Sequence, residues 1–400
     1  MLVISLLLIA CHPEPACFLP EGIAQGPEVI DGFDNDCDGS IDQGATETHY
    51  EGCGAEATGG LGGEIFEVTT LDFSGPGSLL SALTERNWDD TGEVIPRIVR
   101  FSVGGTIRFS ESVVIELPYL TVDGASAPEP GITLTPEFSG ILLDVGPTHD
   151  IILSHLRLVG DWVAGDVGVD DVGLLNVNGR NGNHGRGERM VFDHLTITAA
   201  NDVGLDLWGE LQNITLSWSL FYANRHPTTV SFHPAPFAVR DCISIHHNLY
   251  SGNEQRNPQI RADSRRVDVV NNYIRAWGGV TGISGSGLKI RAEPGEPPAS
   301  VNVRDNLFEA TQEPEMALVY GELAGAEDDG GEEGSVMGEL FVEGNILPAE
   351  VLDRYSTILA PLEVPEVTRF DPATLSEQLP WFAGSWPRGE SDTDMLKPLR

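Results

Sequence analysis

The stretch Ile243-Ser244-Ile245-His246-His247-Asn248-Leu249-Tyr250 has apolar residues at its first and third positions, a polar break, and then a second apolar pair. The same eight-residue pattern recurs at 151–158, 190–197, 214–221, 267–274, 301–308 and 340–347, with the fifth positions 24 to 39 residues apart. Because side chains alternate between two faces of an extended chain, each segment predicts a strand, a bend and a second strand. Repeats of this length without helical patterning predict a solenoid, and the all-β form of it is a parallel β-helix.

Asparagine occupies the sixth position of four successive segments, as Asn248, Asn272, Asn306 and Asn345. Asparagine tolerates left-handed backbone and hydrogen-bonds to neighbouring amides. We therefore expect these residues to form a structural ladder along one bend of the coil. Residues 77–83 precede the repeats and predict a short helix that covers the N-terminal end of the coil, where strand edges are otherwise exposed.

Composition restricts the function classes. The chain has 400 residues, 23 basic and 61 acidic, and its formal net charge of −38 argues against nucleic-acid binding. No apolar run reaches the roughly 20 residues that span a bilayer. A short apolar stretch, 2–10, followed by Cys11 resembles a bacterial lipobox and predicts export with lipidation of that cysteine. Any membrane attachment would then be through the lipid anchor.

These patterns divide the chain into a lipoprotein-type signal at 1–11, an Asp/Gly-rich segment at 12–58, a β-helix at 59–350 and a C-terminal covering segment at 351–400. The segment 12–58 has little core of its own, so we expect a disulfide among Cys17, Cys37 and Cys53, as suits an exported protein. Cys242 lies in an apolar strand pattern and is predicted to be a buried free thiol.

Acidic side chains alternate in the Asp/Gly-rich segment, at Asp34, Asp36, Asp38 and Asp42, with a glycine between the last two. This spacing lets oxygen atoms converge on one cation and predicts a structural calcium loop. A solvated acidic turn is the alternative, because Ala45 stands where an EF-hand would have its last glutamate.

Two features of the β-helix carry candidate chemistry. Asp202 and Asp206 are four residues apart and can share one side of the chain. Asp170 and Asp171 lie earlier in the sequence. Carboxylates without thiolate or imidazole partners favour calcium as the bound ion. Nine basic and four acidic residues lie between Arg225 and Arg291, a local charge of 9 − 4 = +5. This excess predicts either salt bridges between coils or a groove for an anionic ligand.

The adjacent pair His246-His247 is a weaker candidate for a metal site. Neighbouring strand residues point to opposite faces, so we expect at least one of the two to pack inside the coil.

In their order along the chain, these motifs resemble the pectate lyase family. The resemblance rests on 68–71, 75–79, 103–107, 120–124, Phe192-Asp193-His194, the Asp202/Asp206 pair, 247–250, Arg256-Asn257-Pro258-Gln259-Ile260-Arg261, 285–288 and 383–388. It covers the chain from about residue 60 onward. It implies a right-handed parallel β-helix that cleaves polygalacturonate by calcium-dependent β-elimination.

Carried over by position, the resemblance makes Arg256 the base that takes the C5 proton and Arg261 the residue that holds a substrate carboxylate. Asp202 and Asp206 match two calcium ligands. Gly173 stands where the family has a third ligand, an aspartate, and Asp171 or Asp170 could take its place. The family's substrate-binding lysine is missing, and the nearest residues are Arg225 and His226.

We expect an exported, monomeric pectate lyase that uses Ca²⁺ and acts on an acidic polysaccharide. One alternative is a lyase for methyl-esterified pectin or another uronate polymer, which would need less calcium. The other is a carbohydrate-binding β-helix without catalysis.

Overall fold

The computed structural model describes residues 19–20, 23, 25–26, 28–38, 40–42, 47–163, 172–179, 185–231, 239–278, 285–292, 296–310, 317–320, 338–348 and 356–397. Within these residues the chain forms 26 strands in three parallel sheets, and three α-helices. The predicted lipidation site Cys11 and the predicted ligand Asp171 lie outside them. No helix in the described ranges is long and apolar enough to cross a membrane.

Successive strands of a coil belong to the first, the second and the third sheet in that order. The first sheet contains β1 (Glu64–Val68), β2 (Arg97–Phe101), β5 (Leu120–Asp123), β8 (His149–Ser154), β11 (Gly187–Asp193), β14 (Leu211–Ser217), β17 (Arg240–His246), β20 (Ser264–Val270), β23 (Ser300–Arg304) and β26 (Glu339–Glu343). The second contains β3 (Gly105–Phe109), β6 (Ile132–Pro136), β9 (Leu156–Val159), β12 (Thr196–Thr198), β15 (Leu220–Tyr222), β18 (Leu249–Ser251), β21 (Tyr273–Arg275) and β24 (Leu307–Glu309). The third contains β4 (Val113–Ile115), β7 (Gly140–Val145), β10 (Val172–Gly179), β13 (Leu205–Gly209), β16 (Thr228–Ser231), β19 (Gln259–Ile260), β22 (Leu288–Ile290) and β25 (Leu318–Tyr320).

The predicted parallel β-helix is confirmed. The first six repeated segments run from a first-sheet strand, through the fifth residue, into a second-sheet strand, and the seventh runs from β26 to Ile346, which bridges Leu307. That fifth residue has positive φ in all seven segments, at His155, His194, Trp218, His247, Asn271, Asp305 and Gly344. A left-handed residue turns the chain sharply, so the bend falls at the same place in every coil.

The asparagine ladder is also confirmed. Asn272 Oδ1 accepts from the backbone N–H and the side-chain amide of Asn248, and Asn306 and Asn345 repeat the arrangement in the following coils. Ser219 extends the ladder by one coil toward the N-terminus, because its backbone N–H donates to Asn248 Oδ1. The ladder satisfies buried amides that would otherwise lack partners at the bend.

Helix α1 (Leu79–Thr84) is the predicted short helix at the N-terminal end of the coil. Ser78 caps it by accepting a hydrogen bond from the Ser81 N–H. Leu79 and Leu83 are buried in the main hydrophobic core, and the helix contacts β1 and β4, the first strands of their sheets.

The N-terminal segment packs along the outside of the first sheet. The Cys53 N–H donates to Ser244 Oγ and the Gly54 N–H to Thr215 Oγ1. A disulfide joins Cys53 to Cys242, so the prediction of a free Cys242 thiol is wrong. Cys242 has positive φ, which interrupts the strand alternation on which that prediction relied. Cys37 is disulfide-bonded as well.

The C-terminal segment covers the second sheet. Helix α2 (Leu375–Phe382) buries Leu375 and Leu379 in a cluster with Leu249 of β18. Helix α3 (Glu390–Leu396) follows, and its buried Asp392 pairs with Arg157 of β9.

Candidate active site

The outer face of the third sheet carries a row of oxygen-bearing side chains. Asp144, Asn176 and Asp206 are in register on β7, β10 and β13, and all three are partly exposed. Their strand neighbours point inward, as shown by Leu205 and Leu207, which are 0% exposed. The Asn176 amide donates to Asp144 Oδ1 at 2.8 Å. The row therefore presents the oxygen donors that a hard cation prefers.

Asp202 lies at the start of this region, just before β13. Its backbone N–H donates to the Val172 carbonyl, and its own carbonyl accepts from His226 Nδ1 at 2.8 Å. Asp202 thus sits beside the first residue of β10, which directly follows Asp171 in the sequence. Of the two predicted calcium ligands, Asp202 precedes β13 and Asp206 is the second residue of that strand.

Arg256 lies two coils further on, before β19, in a loop held from both sides. It has a φ of 64°, and its carbonyl accepts from the Thr228 N–H of the preceding coil. The next residue, Asn257, donates its backbone N–H to Gly287 and its side-chain amide to the Ser286 carbonyl. These contacts fix the backbone of the Arg256 loop between two neighbouring coils.

His226 connects the acidic and basic parts of the site. It is 5% exposed; its Nδ1 donates to the Asp202 carbonyl, and its Nε2 accepts from the Gln255 amide at 3.2 Å. Burial, followed by the positive charges of Arg256 and Arg225, lowers the pKa of His226 well below its ordinary value. The ring is therefore neutral, and both its nitrogens are used inside the fold.

Asp202 precedes β13 and Arg256 precedes β19, so the two residues lie two coils apart. His226, on the coil between them, contacts Asp202 on one side and Gln255 on the other. Both ring nitrogens of His226 make hydrogen bonds inside the fold, and the substrate contact predicted for it stays a prediction. Arg225, the other residue considered for that role, remains partly exposed beside the same loop.

Arg261 lies on the outer face directly after β19, where its N–H donates to the Val230 carbonyl. Beneath it, Arg240 is 0% exposed and donates to the carbonyls of Gly209 and Ala262. Burial lowers the pKa of Arg240 to about 10. Lys289 and Arg291 follow on the next coil, so positive charge accumulates toward the C-terminal end of the sheet.

A second asparagine ladder, which the sequence analysis missed, leads to the Arg256 loop. Asn253 Oδ1 accepts from the Asn224 backbone and side chain, and the Asn253 amide donates to Asn257 Oδ1. Asn224 and Asn253 each lie five residues after the sixth position of a repeat, so this offset was a readable signal.

The predicted pair His246-His247 packs inside the fold, as expected. Their Nδ1 atoms are 2.9 Å apart, and His247 stacks on Trp218 with ring centroids 4.3 Å apart. Both rings are at most 1% exposed.

The predicted calcium loop lies apart from this groove, in the segment that covers the first sheet. One carboxylate oxygen from each of Glu28, Asp34 and Asp36 lies within 4.8 Å of the others. Asp38 lies outside this group and accepts from the Ser40 N–H; Asp42 accepts instead from the N–H groups of Asp31 and Gly32. Glu28 was not foreseen because it precedes the repeating acidic pattern.

Comparisons with known proteins identify chains of similar sequence and of similar fold. No protein-family model matches the chain. It is 30% identical over 230 residues to the probable pectate lyase C of Neosartorya fischeri, covering 57% of this chain and 47% of that protein. It is 29% identical over 259 residues to the probable pectate lyase C of Aspergillus flavus, covering 64% and 52%. The chain therefore spans about half the length of these curated relatives.

Solved structures show the same fold. The cedar pollen allergen Jun a 1 superposes with a TM-score of 0.60 at 17% identity, covering 84% of this chain and 92% of the allergen. Pectate lyase C from Erwinia chrysanthemi with Ca²⁺ gives 0.54 at 16%, covering 86% and 97%. Pectate lyase Bsp165PelA from Bacillus sp. N165, in complex with trigalacturonate, gives 0.53 at 16%, covering 84% and 98%. The chain is thus a sequence homologue of the pectate lyases and has their parallel β-helix fold.

Proposed function

We propose that this protein is a pectate lyase that cleaves polygalacturonate by calcium-assisted β-elimination, with Arg256 as the base. The observation that carries the proposal is the chain of contacts from the Asp202 carbonyl through His226 to Gln255, which connects the start of β13 across the intervening coil to the Arg256 loop before β19. Sequence relatives named pectate lyase support the same assignment.

The donor set suits calcium. Asp202 and Asp206 supply carboxylates, and Asn176 and Asp144 add oxygen atoms in the same row. Calcium held by Asp202 and Asp206 would neutralise the substrate carboxylate and so make the neighbouring C5–H more acidic. Asp171 remains the proposed third ligand.

Arg256 would remove the C5 proton while Arg261 holds a carboxylate of the polymer and Arg225 lies beside the Arg256 loop. An arginine normally keeps its proton, with a pKa above about 12. The proposal therefore requires the bound calcium and neighbouring Arg261 to favour the neutral guanidinium. The tightly anchored loop supplies the orientation that proton abstraction needs.

The decisive assay follows the absorbance of the unsaturated product from polygalacturonate, with calcium or with chelator. We expect calcium-dependent product from the wild type and a loss of at least a thousandfold in Arg256→Ala. Arg266→Ala is the matched control, because Arg266 pairs with Asp241 on the first sheet. Calcium-independent cleavage of methyl-esterified pectin would assign the chain to a different lyase class, and absence of product from every uronan would make it a binding protein.

Asp206→Asn tests the calcium assignment separately. We expect the calcium concentration for half-maximal activity to rise at least tenfold, with activity recovered at high calcium. An unchanged calcium dependence would exclude Asp206 as a ligand.

We also propose that Glu28, Asp34 and Asp36 hold a second, structural calcium ion, with Asp38 and Asp42 shaping the loop through their backbone contacts. Export to an oxidising compartment is supported by the Cys53–Cys242 disulfide. Lipidation at Cys11 and a monomeric state complete this proposal. Calorimetric titration with calcium should reveal a site that Asp34→Asn removes and Asp206→Asn leaves intact.

A further inference from the structure

Trp208 occupies a position in the groove that the proposed chemistry does not use. Along β13, Leu205 and Leu207 are buried in the core, whereas Asp206 and Trp208 face outward and are partly exposed. Two residues along a strand separate side chains on one face by about 7 Å. A large aromatic ring therefore lies one side-chain position from the carboxylate of Asp206.

The neighbours of Trp208 across the sheet are polar. Asn178 on β10 is in register with it, and Ser231 is its partner on β16. Arg261 follows on the next strand, because its N–H donates to the Val230 carbonyl. With neighbouring strands about 4.8 Å apart, Trp208 lies roughly 10 Å from Arg261 at the backbone, in one row that runs along the solenoid axis.

Asn178 is the observation that points to a ligand. Its side chain is 8% exposed, and in the described part of the chain no group hydrogen-bonds to its Oδ1. A buried carbonyl oxygen without a donor costs about 1–3 kcal/mol, so a fold retains one where something else supplies the donor. The row thus offers an apolar ring face beside a hydrogen-bond acceptor that needs a hydroxyl group.

We propose that Asn178 and Trp208 form a sugar subsite next to the Asp206 carboxylate. This inference rests on the proposed function, since the ligand is a uronate residue of the same polymer. The apolar face of the sugar ring packs on the Trp208 indole, and a ring hydroxyl donates to Asn178 Oδ1. Aromatic faces combined with a few placed polar groups are the composition of small-ligand sites generally. The subsite adds affinity for the polymer and takes no part in proton transfer.

The test measures binding of trigalacturonate by calorimetry, with calcium, in the non-cleaving Arg256→Ala background. Adding Trp208→Ala should weaken binding at least tenfold, and Asn178→Ala should weaken it severalfold. Trp208→Phe keeps an aromatic face and should retain most of the affinity. Trp88→Ala is the matched control, because Trp88 is 57% exposed in a hairpin before β2 and should bind like its parent.

The outcomes separate the two proposals. If the Arg256→Ala parent binds trigalacturonate and a folded Trp208→Ala derivative binds it equally well, the subsite is overturned while the proposed function stands. If the folded parent binds no uronan, and the wild type cleaves none, the proposed function fails and the subsite fails with it. Weaker binding of Trp208→Ala with an unchanged unfolding midpoint supports the subsite.

Discussion

Replacing His226 tests whether its neutral imidazole couples the proposed calcium ligand Asp202 to the loop that holds the proposed base Arg256. Its Nδ1 donates to the Asp202 carbonyl at 2.8 Å and its Nε2 accepts from Gln255 at 3.2 Å. His226→Ala removes both contacts and leaves a buried carbonyl and a buried amide without this partner. His226→Asn restores the first contact alone, because the asparagine amide can reach the position of Nδ1.

The two contacts set the expected magnitudes. Each buried group left unsatisfied costs about 1–3 kcal/mol, so His226→Ala should lower the free energy of unfolding by about 2–6 kcal/mol. A displacement of about 1 Å in a reacting group can lower turnover roughly a hundredfold. We therefore expect kcat to fall between about 10- and 100-fold in the alanine variant, with KM changing less than threefold.

The assay is steady-state cleavage of polygalacturonate over a calcium titration, alongside denaturant unfolding. His226→Asn should recover the wild-type calcium dependence and part of kcat, because it again holds Asp202. Equal losses in both variants would show that ring volume matters and the hydrogen bonds do not. A rise in KM with unchanged kcat would instead support direct substrate contact, as the sequence suggested.

Three further predictions concern the scaffold. Denaturant titration should show that Asn272→Ala, in the buried part of the ladder, lowers the free energy of unfolding by about 2–4 kcal/mol. Asn345→Ala, at the partly exposed end, should lower it by about 1 kcal/mol, and equal losses would contradict the ladder. Burial holds the pKa of His247 well below 6.5, so the folded protein loses stability as the pH falls below that value. His247→Phe should reduce this loss by up to about 1.4 kcal/mol per pH unit just below pH 6.5, and an unchanged slope in the pH dependence of unfolding would contradict this. Removing the Cys53–Cys242 disulfide, which spans 189 residues, should lower stability by about 3–5 kcal/mol while the folded variant keeps its activity; loss of activity without unfolding would be the contrary result.

The fold was readable because one conformational constraint repeats. A bend at a left-handed residue needs the same local pattern in every coil, so His155, Trp218 and Asn271 stand at the same position of their segments. The asparagines that follow must satisfy amides in the next coil, which made their ladder predictable as well. The repeated local pattern was therefore enough to predict the architecture, and no long-range contact had to be known.

The site was only partly readable, because its contacts run between coils through loops of variable length. The sequence predicted roles for Asp202, Asp206 and Arg256. The position of the His226 ring, by contrast, depends on its hydrogen bond with Gln255 in the next coil. Cys242 was misjudged because its partner, Cys53, lies 189 residues away in a segment outside the coil. Neither separation leaves a periodic signal.

Stacking of coils also explains how a chain with a net charge of −38 could attract a polyanion. Between Arg225 and Arg291 the excess of basic residues is spread over successive coils, and parallel register brings Arg261, Lys289 and Arg291 to one face. At physiological ionic strength, charges beyond about 8 Å are largely screened. A polymer in the groove therefore responds mainly to the row beneath it, where carboxylates suited to a cation give way to guanidinium groups along the solenoid axis. The distribution of charge along the coils, rather than its sum, is therefore what the proposed acidic polysaccharide would encounter.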